Sequence, residues 1–545
     1  MANELHFLTI AEAARLIAAR KLSPVELTEA LLSRIEALDP RVNSFITVTA
    51  ELALGQARAA EAEIARGRHR GPMHGIPFGL KDLYNTAGIL TSGHSKICID
   101  NVPAVDATAV ARLYEAGAVL VGKLATHEFA HGGPAFDLPW PPARNPWNLD
   151  HFTGGSSSGP GAAVAAGFVP GALGTDTGGS IRGPAGLCGI VGLRPTYGLV
   201  SRHGVLPSSY TFDACGPMTR SVEDCAIMLQ AIAAHDPKDP ASLDRPPADY
   251  RAALNAGIRG LRIAVVRHFW EEDVPADDET RSAMEAALGV LSGLGARLEV
   301  IRMRAPKDYY DVAKTIGLPE LMGVYFEDLK RRPGDFSSAF RSRGALAACL
   351  IQATDYVEAQ RERARMLAEM APLYALYDAF VTTAGSGPAP RLDRYRIMSY
   401  WQKPNITTPF SVTGSPALVL CNGYSRGGLP LGMQIAGRPF EDATVLRIAH
   451  AYEQATPWHL RRPQLAAGEK PKPVAIDSGF DTAPAIDGPG RDLARMLAAR
   501  AGLALSEAHF EELCHAAPYA FAMVQRIRRR RDRFEEPASV FRFPE

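Results

Sequence analysis

The chain has 545 residues, 46% hydrophobic, 22% charged and 8% aromatic, and its 59 lysines and arginines balance 59 aspartates and glutamates. This composition excludes a disordered, collagen-like or disulfide-scaffold protein. Zero net charge excludes a global field that would draw the chain onto nucleic acid or an anionic membrane, and suits a small-molecule substrate instead. The seven cysteines, at 98, 188, 215, 225, 349, 421 and 514, form no C-x-x-C pair. An odd, scattered set of this kind predicts reduced thiols in the cytoplasm. The opening "MANELHFLTIAEAARLIAARKLSP" carries Glu4 and no basic, unbroken apolar leader, so it does not read as a signal peptide. No run of about 18 apolar residues predicts a membrane span.

In chain order, Leu8, Ala11, Ala14, Leu16 and Ile17, then Leu27, Leu31, Leu32 and Ile35, recur at three-and-four spacing, with Ser23-Pro24 between them as a helix start. Two amphipathic helices are expected. From 71 to 220 short apolar runs such as "GAVLVG" and "GIVGL" alternate with glycine, proline and Ala-rich stretches, the texture of strands in a covered sheet. Residues 260–303 read as a strand, helix, strand crossover. A long helical stretch follows to about 378, and "ALVLCNGYSRGGLPLGMQIAG" predicts two strands around a Gly-Gly turn. The body, 1–464, is therefore an α/β unit with a large mixed, twisted sheet covered by helices on both faces. Residues 465–490 are rich in proline, glycine and small polar residues and read as a linker. A helical appendage, 491–545, closes the chain, with Leu493, Met496, Leu497, Leu503, Phe510, Leu513, Tyr519 and Met523 on its apolar stripes.

The chemistry concentrates in three loops. "GTDTGGSIRGPAG" at 174–186 sets Ser180 behind two glycines; taken alone, Gly-Gly-Ser is ordinary turn composition. Upstream, "TGGSSSGPGAAVAAG" at 153–167 is either a serine-rich site loop or a plain loop opening the Ala-rich helix, with Ser157 or Ser158 as the cap. It lacks the lysine of a phosphate loop. Further upstream, Lys81 sits in "GIPFGLKDLYNT" between Phe78-Gly79-Leu80 and Leu83, a run apolar enough to bury it. A free lysine, pKa about 10.4, is neutral about once in 2,500 at pH 7, and bringing it near 7 takes roughly 4 to 5 kcal/mol of desolvation or hydrogen bonding.

These three loops, with "NPWNLDHFTGGSSSG", "GIVGLRPTYG", "GPMTRSVED" and "GGLPLGMQIAGRPF" in the same order, resemble the amidase signature family of Ser-Ser-Lys hydrolases. The resemblance implies Ser180 as the nucleophile, Ser156 as a bridging serine on a non-proline cis peptide, and Lys81 as the base. It also implies an oxyanion hole from the backbone of Thr177, Gly178, Gly179 and Ser180, and no metal or organic cofactor. Nucleophilic chemistry asks for the same roles, because a serine attacks an amide only if a nearby base takes its proton and later returns it to the leaving amine. Asp176 and Arg182 are expected to hold the turn's shape. His127 and His131 read as pocket lining or structure, with a conventional Ser-His-Asp triad as the weaker alternative.

The resemblance thins at "GGPAFDLPWPPAR", where Phe136 and Trp140, with His131, are candidate substrate-binding residues, and at "SRGALAACLIQATDYVEAQ", which departs from the pattern of the amidotransferase members. The expected function is cleavage of a small or medium carboxamide through a Ser180 acyl-enzyme, releasing ammonia or an amine. Carbamate, ester or biuret-type hydrolysis by the same mechanism, an A-subunit-like glutaminase of a tRNA amidotransferase, and a non-catalytic scaffold are the alternatives. A homo-oligomer stays open. The appendage resembles the small helical partner subunits of some members, and its "PASVFRFP" is expected to lie on the body through Val540, Phe541 and Phe543. The arginine-rich run 526–533, followed by Glu535 and Glu536, reads as a solvated helix face, not a nucleic-acid site.

Overall fold

The computed structural model describes residues 5–527 and 534–537. Among these, eleven strands form a single sheet: β1 Phe45–Val48, β2 Pro77–Lys81, β3 Val119–Leu124, β4 Gly171–Asp176, β5 Val191–Arg194, β6 Ala214–Thr219, β7 Arg262–Val265, β8 Arg297–Val300, β9 Ala379–Thr383, β10 Ala417–Tyr424 and β11 Pro430–Gly437. The spatial order is β1-β3-β2-β4-β6-β5-β10-β11-β9-β7-β8. β2 runs parallel to both β3 and β4, and β7 runs parallel to both β8 and β9. The other pairs are antiparallel, so the sheet is mixed, as expected.

Side chains alternate across a strand, and here both faces are apolar. Leu120, Leu173 and Leu418 enter one core, while their neighbours Val121, Ala172 and Val419 enter another. The first core is covered by α1 (Ile10–Ala18), the second by Ile35, Leu38 and Val42 of α2 (Pro24–Val42) and by α3 (Ser158–Ala165). The Ser23 hydroxyl caps α2 by accepting the N–H groups of Val25 and Glu26, with Pro24 pre-set at the first helical position. The predicted crossover is β7, α4 (Asp278–Gly293) and β8, in parallel register from Arg262 opposite Arg297 to Val265 opposite Val300. Two long helices follow, α5 (Pro306–Val324) and α6 (Ala353–Leu376).

The chain then ends in α7 (Gly488–Arg500) and α8 (Glu507–Ile527). The Asp487 carboxylate caps α7 by accepting the Gly490 N–H, so the helix begins inside the stretch that reads as linker. That stretch is tied to the body at Asp477 and Ser478, whose carbonyls accept the N–H groups of Ile397 and Met398, each at 3.0 Å. Phe510, Leu513 and Met523 share one core with Leu318, Leu321, Phe340 and Leu346 of the body. Each such side chain contributes about 1.5–3 kcal/mol before ordering costs. Leu493 and Met496 depart from the expected stripe, at 40% and 58% exposed. The small Ala494 and Ala498 pack inward instead. Val540, Phe541, Phe543 and most of the arginine run lie outside the described residues.

Candidate active site

β2 ends in Lys81, whose side chain is fully buried with Phe78, Leu80 and Leu83. Its Nζ donates to Ser156 Oγ at 2.7 Å and to Thr175 Oγ1 on β4 at 2.8 Å. Burial pushes this amine down to about 7, against the opposing pull of Asp213, Asp176 and Cys215.

Ser156 stands just before α3, joined to Gly155 by a cis peptide bond. Its carbonyl accepts from His127 N and Thr126 Oγ1, both at 3.0 Å. A Cβ on Gly155 would lie 1.9 Å from His127 Cε1, so only glycine fits beneath that ring. Ser157 occupies the N-cap position of α3 but makes no capping bond. Its hydroxyl instead donates to the Thr175 carbonyl at 3.2 Å and accepts the Thr175 N–H at 3.3 Å, fastening the serine loop to β4.

β4 ends at Asp176, and the chain turns through Thr177-Gly178-Gly179 to Ser180. The buried Asp176 carboxylate accepts the N–H groups of Gly179 (2.8 Å) and Ile181 (3.1 Å), and Arg182 donates to both its oxygens at 2.9 and 3.0 Å. Burial alone would raise this carboxyl, but Arg182 and Arg194 overcome it and hold the group well below the usual carboxylate range. Asp176 and Arg182 thus shape the turn. Gly179 has φ +132°, and a Cβ there would meet Thr407 Oγ1 at 2.0 Å. Thr407 Oγ1 donates to the Gly178 carbonyl at 2.8 Å, and Thr177 Oγ1 donates to Asp213 at 2.5 Å. The Ser157 N–H reaches the Ser180 carbonyl at 3.2 Å.

Two cavities, about 360 and 710 Å³, meet at Ser180. Thr177, Gly178, Gly179 and Ser180 line the smaller one, and Ser156, Ser180, His127 and Phe152 line the larger. His131 lines both, with its Nε2 2.9 Å from the Arg343 carbonyl oxygen. His127 lies stacked on Phe152, ring centres 5.7 Å apart. Burial, then Arg343, pushes both imidazoles well below their ordinary range, and neither ring is hydrogen-bonded to Ser156 or Ser180 among the described contacts. Phe136 and Trp140 line neither cavity; Trp140 sits edge-on to His94, and its carbonyl is 3.0 Å from His94 Nε2.

Sequence reasoning missed Thr175, Thr407, Lys314 and Arg343. Lys314, on α5, and Arg343 line the smaller cavity, with Nζ 3.9 Å and Cζ 4.4 Å from the centre of the Tyr400 ring. Arg343 Nη1 donates to the Gly132 carbonyl at 2.8 Å and to Tyr395 Oη at 3.2 Å. Burial, then the neighbouring Arg343, drives the Lys314 amine well below its ordinary range. Among the described residues, no carboxylate lines either cavity. A lysine amid Tyr309, Tyr310, Val312 and Ile316 is the same signal that singled out Lys81; Arg343 sits in a segment with no local motif.

A model of the family described as Amidase matches residues 26–446. The chain belongs to the amidase signature family. It is 40% identical over 487 residues to the A subunit of the glutamyl-tRNA(Gln) amidotransferase of Geobacter metallireducens, a match covering 84% of this chain and 99% of that one. The native peptide amidase of Stenotrophomonas maltophilia superposes with a TM-score of 0.72 at 31% identity, over 84% of this chain and 99% of that structure. A chain from a vestigial protein complex described as revealing the origins of an s-triazine catabolic enzyme superposes with a TM-score of 0.76 at 31% identity, over 82% and 98% of the two chains. As an amidase signature hydrolase, the enzyme acts on C–N bonds. Among the described residues, no helix is long and apolar enough to cross a membrane.

Proposed function

We propose that this amidase hydrolyses a small or medium carboxamide that carries an anionic group, through an acyl-enzyme on Ser180. The observation that carries the chemistry is the fully buried Lys81, held 2.7 Å from Ser156 Oγ. A neutral amine has two N–H groups and one lone pair. With Thr175 taking one N–H, the Ser156 hydroxyl can turn to donate to the lone pair and accept the Ser180 proton in the same motion. Ser180 Oγ then forms the C–O bond to the substrate carbonyl, and the carbonyl oxygen becomes an oxyanion. The Gly179 N–H is already engaged by Asp176, which leaves the N–H groups of Thr177, Gly178 and Ser180 to meet it; donors of this kind are worth about 2.7–4 kcal/mol each. Collapse breaks the C–N bond as the proton returns through Ser156 to the leaving nitrogen. Water repeats the sequence on the acyl-enzyme and releases the acid.

The anionic preference rests on the Arg343 guanidinium, with the depressed amine of Lys314 and the side chain of Lys403 beside it, in a cavity that no carboxylate lines among the described residues. A substrate carboxylate would pair with Arg343 and favour the charged form of Lys314. Ammonia release from monoamides of short dicarboxylic acids, set against neutral primary amides of equal length, tests this. The anionic series should exceed the neutral one about ten- to a hundredfold in kcat/KM, the worth of a charge-assisted hydrogen bond. Equal values would contradict it. The similarity to an amidotransferase component favours a second reading, with glutamine as the ammonia donor; glutaminase activity that depends on tRNA and on a second large protein chain would support that one.

A further inference from the structure

α8 reaches the segments that present the basic side chains Lys314, Arg343 and Lys403 to the smaller cavity. Glu512 accepts from Arg341 Nε at 2.6 Å and Nη2 at 2.9 Å, a two-pronged pair only 13% and 9% exposed, and Arg341 lies two residues before Arg343. Tyr519 stacks on Trp401 with ring centres 6.2 Å apart and planes 12° from parallel, and its Oη accepts from Gln402 Nε2 at 2.9 Å. Trp401 in turn donates its Nε1–H to the Ser342 carbonyl at 3.0 Å, the residue preceding Arg343, and adjoins Tyr400, on which Arg343 and Lys314 both rest. Arg526 donates to both oxygens of Asp311 at 2.6 and 3.0 Å, on α5 one turn before Lys314. Between Ser338 and Leu350 the backbone runs through short turns, with Gly344 at φ +125°. Such a segment has no long helical ladder of its own to fix where Arg343 points.

We infer that α8 is part of the substrate-recognition apparatus: Glu512 and Tyr519 act as positioning residues that hold Arg343 in the cavity and so set the preference for an anionic acyl group. Neither touches the reacting atoms. A bidentate carboxylate–guanidinium pair fixes both the position and the orientation of its partner, and a flat aromatic stack fixes the Trp401 plane from which the Ser342 carbonyl is held. The inference rests on the anionic reading above.

The test uses the full chain. The readout is the ratio of kcat/KM for a dicarboxylic acid monoamide to that for the neutral amide of equal length, in Glu512→Gln and Tyr519→Leu. The ratio should fall about tenfold in each, mostly through KM of the anionic substrate, since a displacement near 1 Å at a positioning group costs up to a hundredfold. A helix that only props up the fold would lower both substrates together and leave the ratio untouched. Should Glu512→Gln fail to fold, Tyr519→Leu, at a half-exposed position, carries the same measurement. Arg343→Met separates the two ideas. If the ratio holds in Arg343→Met, the anionic reading itself fails and the inference with it. If it falls there but stays within twofold of wild type in both α8 variants, the inference alone is overturned.

Discussion

Lysine in water stays protonated up to a pKa of about 10.4, and Lys81 does not, because its β2 flank strips it of water while Ser156 and Thr175 supply only neutral partners. The neutral amine that results is the base a serine relay needs. kcat/KM should therefore rise with pH through an apparent pKa of about 7 and level off above it. Lys81→Met should lose both that limb and most of the rate; a preserved limb would show that Lys81 is not the base. The same shift makes a stability prediction. Between about pH 7 and 10.4 the unfolded chain binds this proton and the folded one does not, so Lys81 makes wild-type stability increase with pH across that window. The slope is the discriminating quantity in denaturant titrations, and it should be shallower in Lys81→Met. The lysine was legible in sequence from its apolar neighbours. Arg343 was not, since an arginine among small residues carries no local sign of facing a cavity.

The two serine-bearing elements show how far a local motif reaches. The Ser180 turn could be read from its glycines, and the Asp176–Arg182 pair that shapes it lies within six residues. Thr407, which closes over the same turn, is 229 positions from Gly178, and only the folded sheet brings it there. α3 could likewise be read as a helix, but Ser157, one of the two serines expected to cap it, bonds Thr175 on β4 instead. Gly179→Ala should cost about 1–3 kcal/mol of stability, through a Cβ that meets Thr407 at 2.0 Å on a backbone at φ +132°. Its turnover should fall by more than tenfold if displacing the turn removes even one oxyanion donor. Thermal melts and initial rates on the purified variant check both. A variant with wild-type melting temperature and rate would show that the turn tolerates the side chain.

At the scale of the whole molecule, the mixed sheet was legible as a class but not in its order. β10 and β11 lie between β5 and β9, a placement set by tertiary packing and not by any pattern along the chain. The appendage was legible as amphipathic helices in need of a surface, and they find one. Its depth of engagement, through Phe510, Leu513 and Met523 in a shared core and Glu512 on Arg341, depends on body residues far away in sequence. Ending the chain after Pro463 should uncover Leu318, Leu321, Phe340 and Leu346 and give protein that aggregates or loses activity, although Lys81, Ser156 and Ser180 remain. Size-exclusion chromatography and an amide assay read this out, and a monodisperse, fully active truncation would show that the appendage is an independent module. The claim on which all of this depends is the acyl-enzyme. In a rapidly quenched, digested reaction with a turned-over amide, mass spectrometry should find the acyl group on the peptide containing Ser180, and should find none in a folded Ser180→Ala variant that no longer releases ammonia. An adduct on any other residue, or sustained turnover by Ser180→Ala, would contradict it.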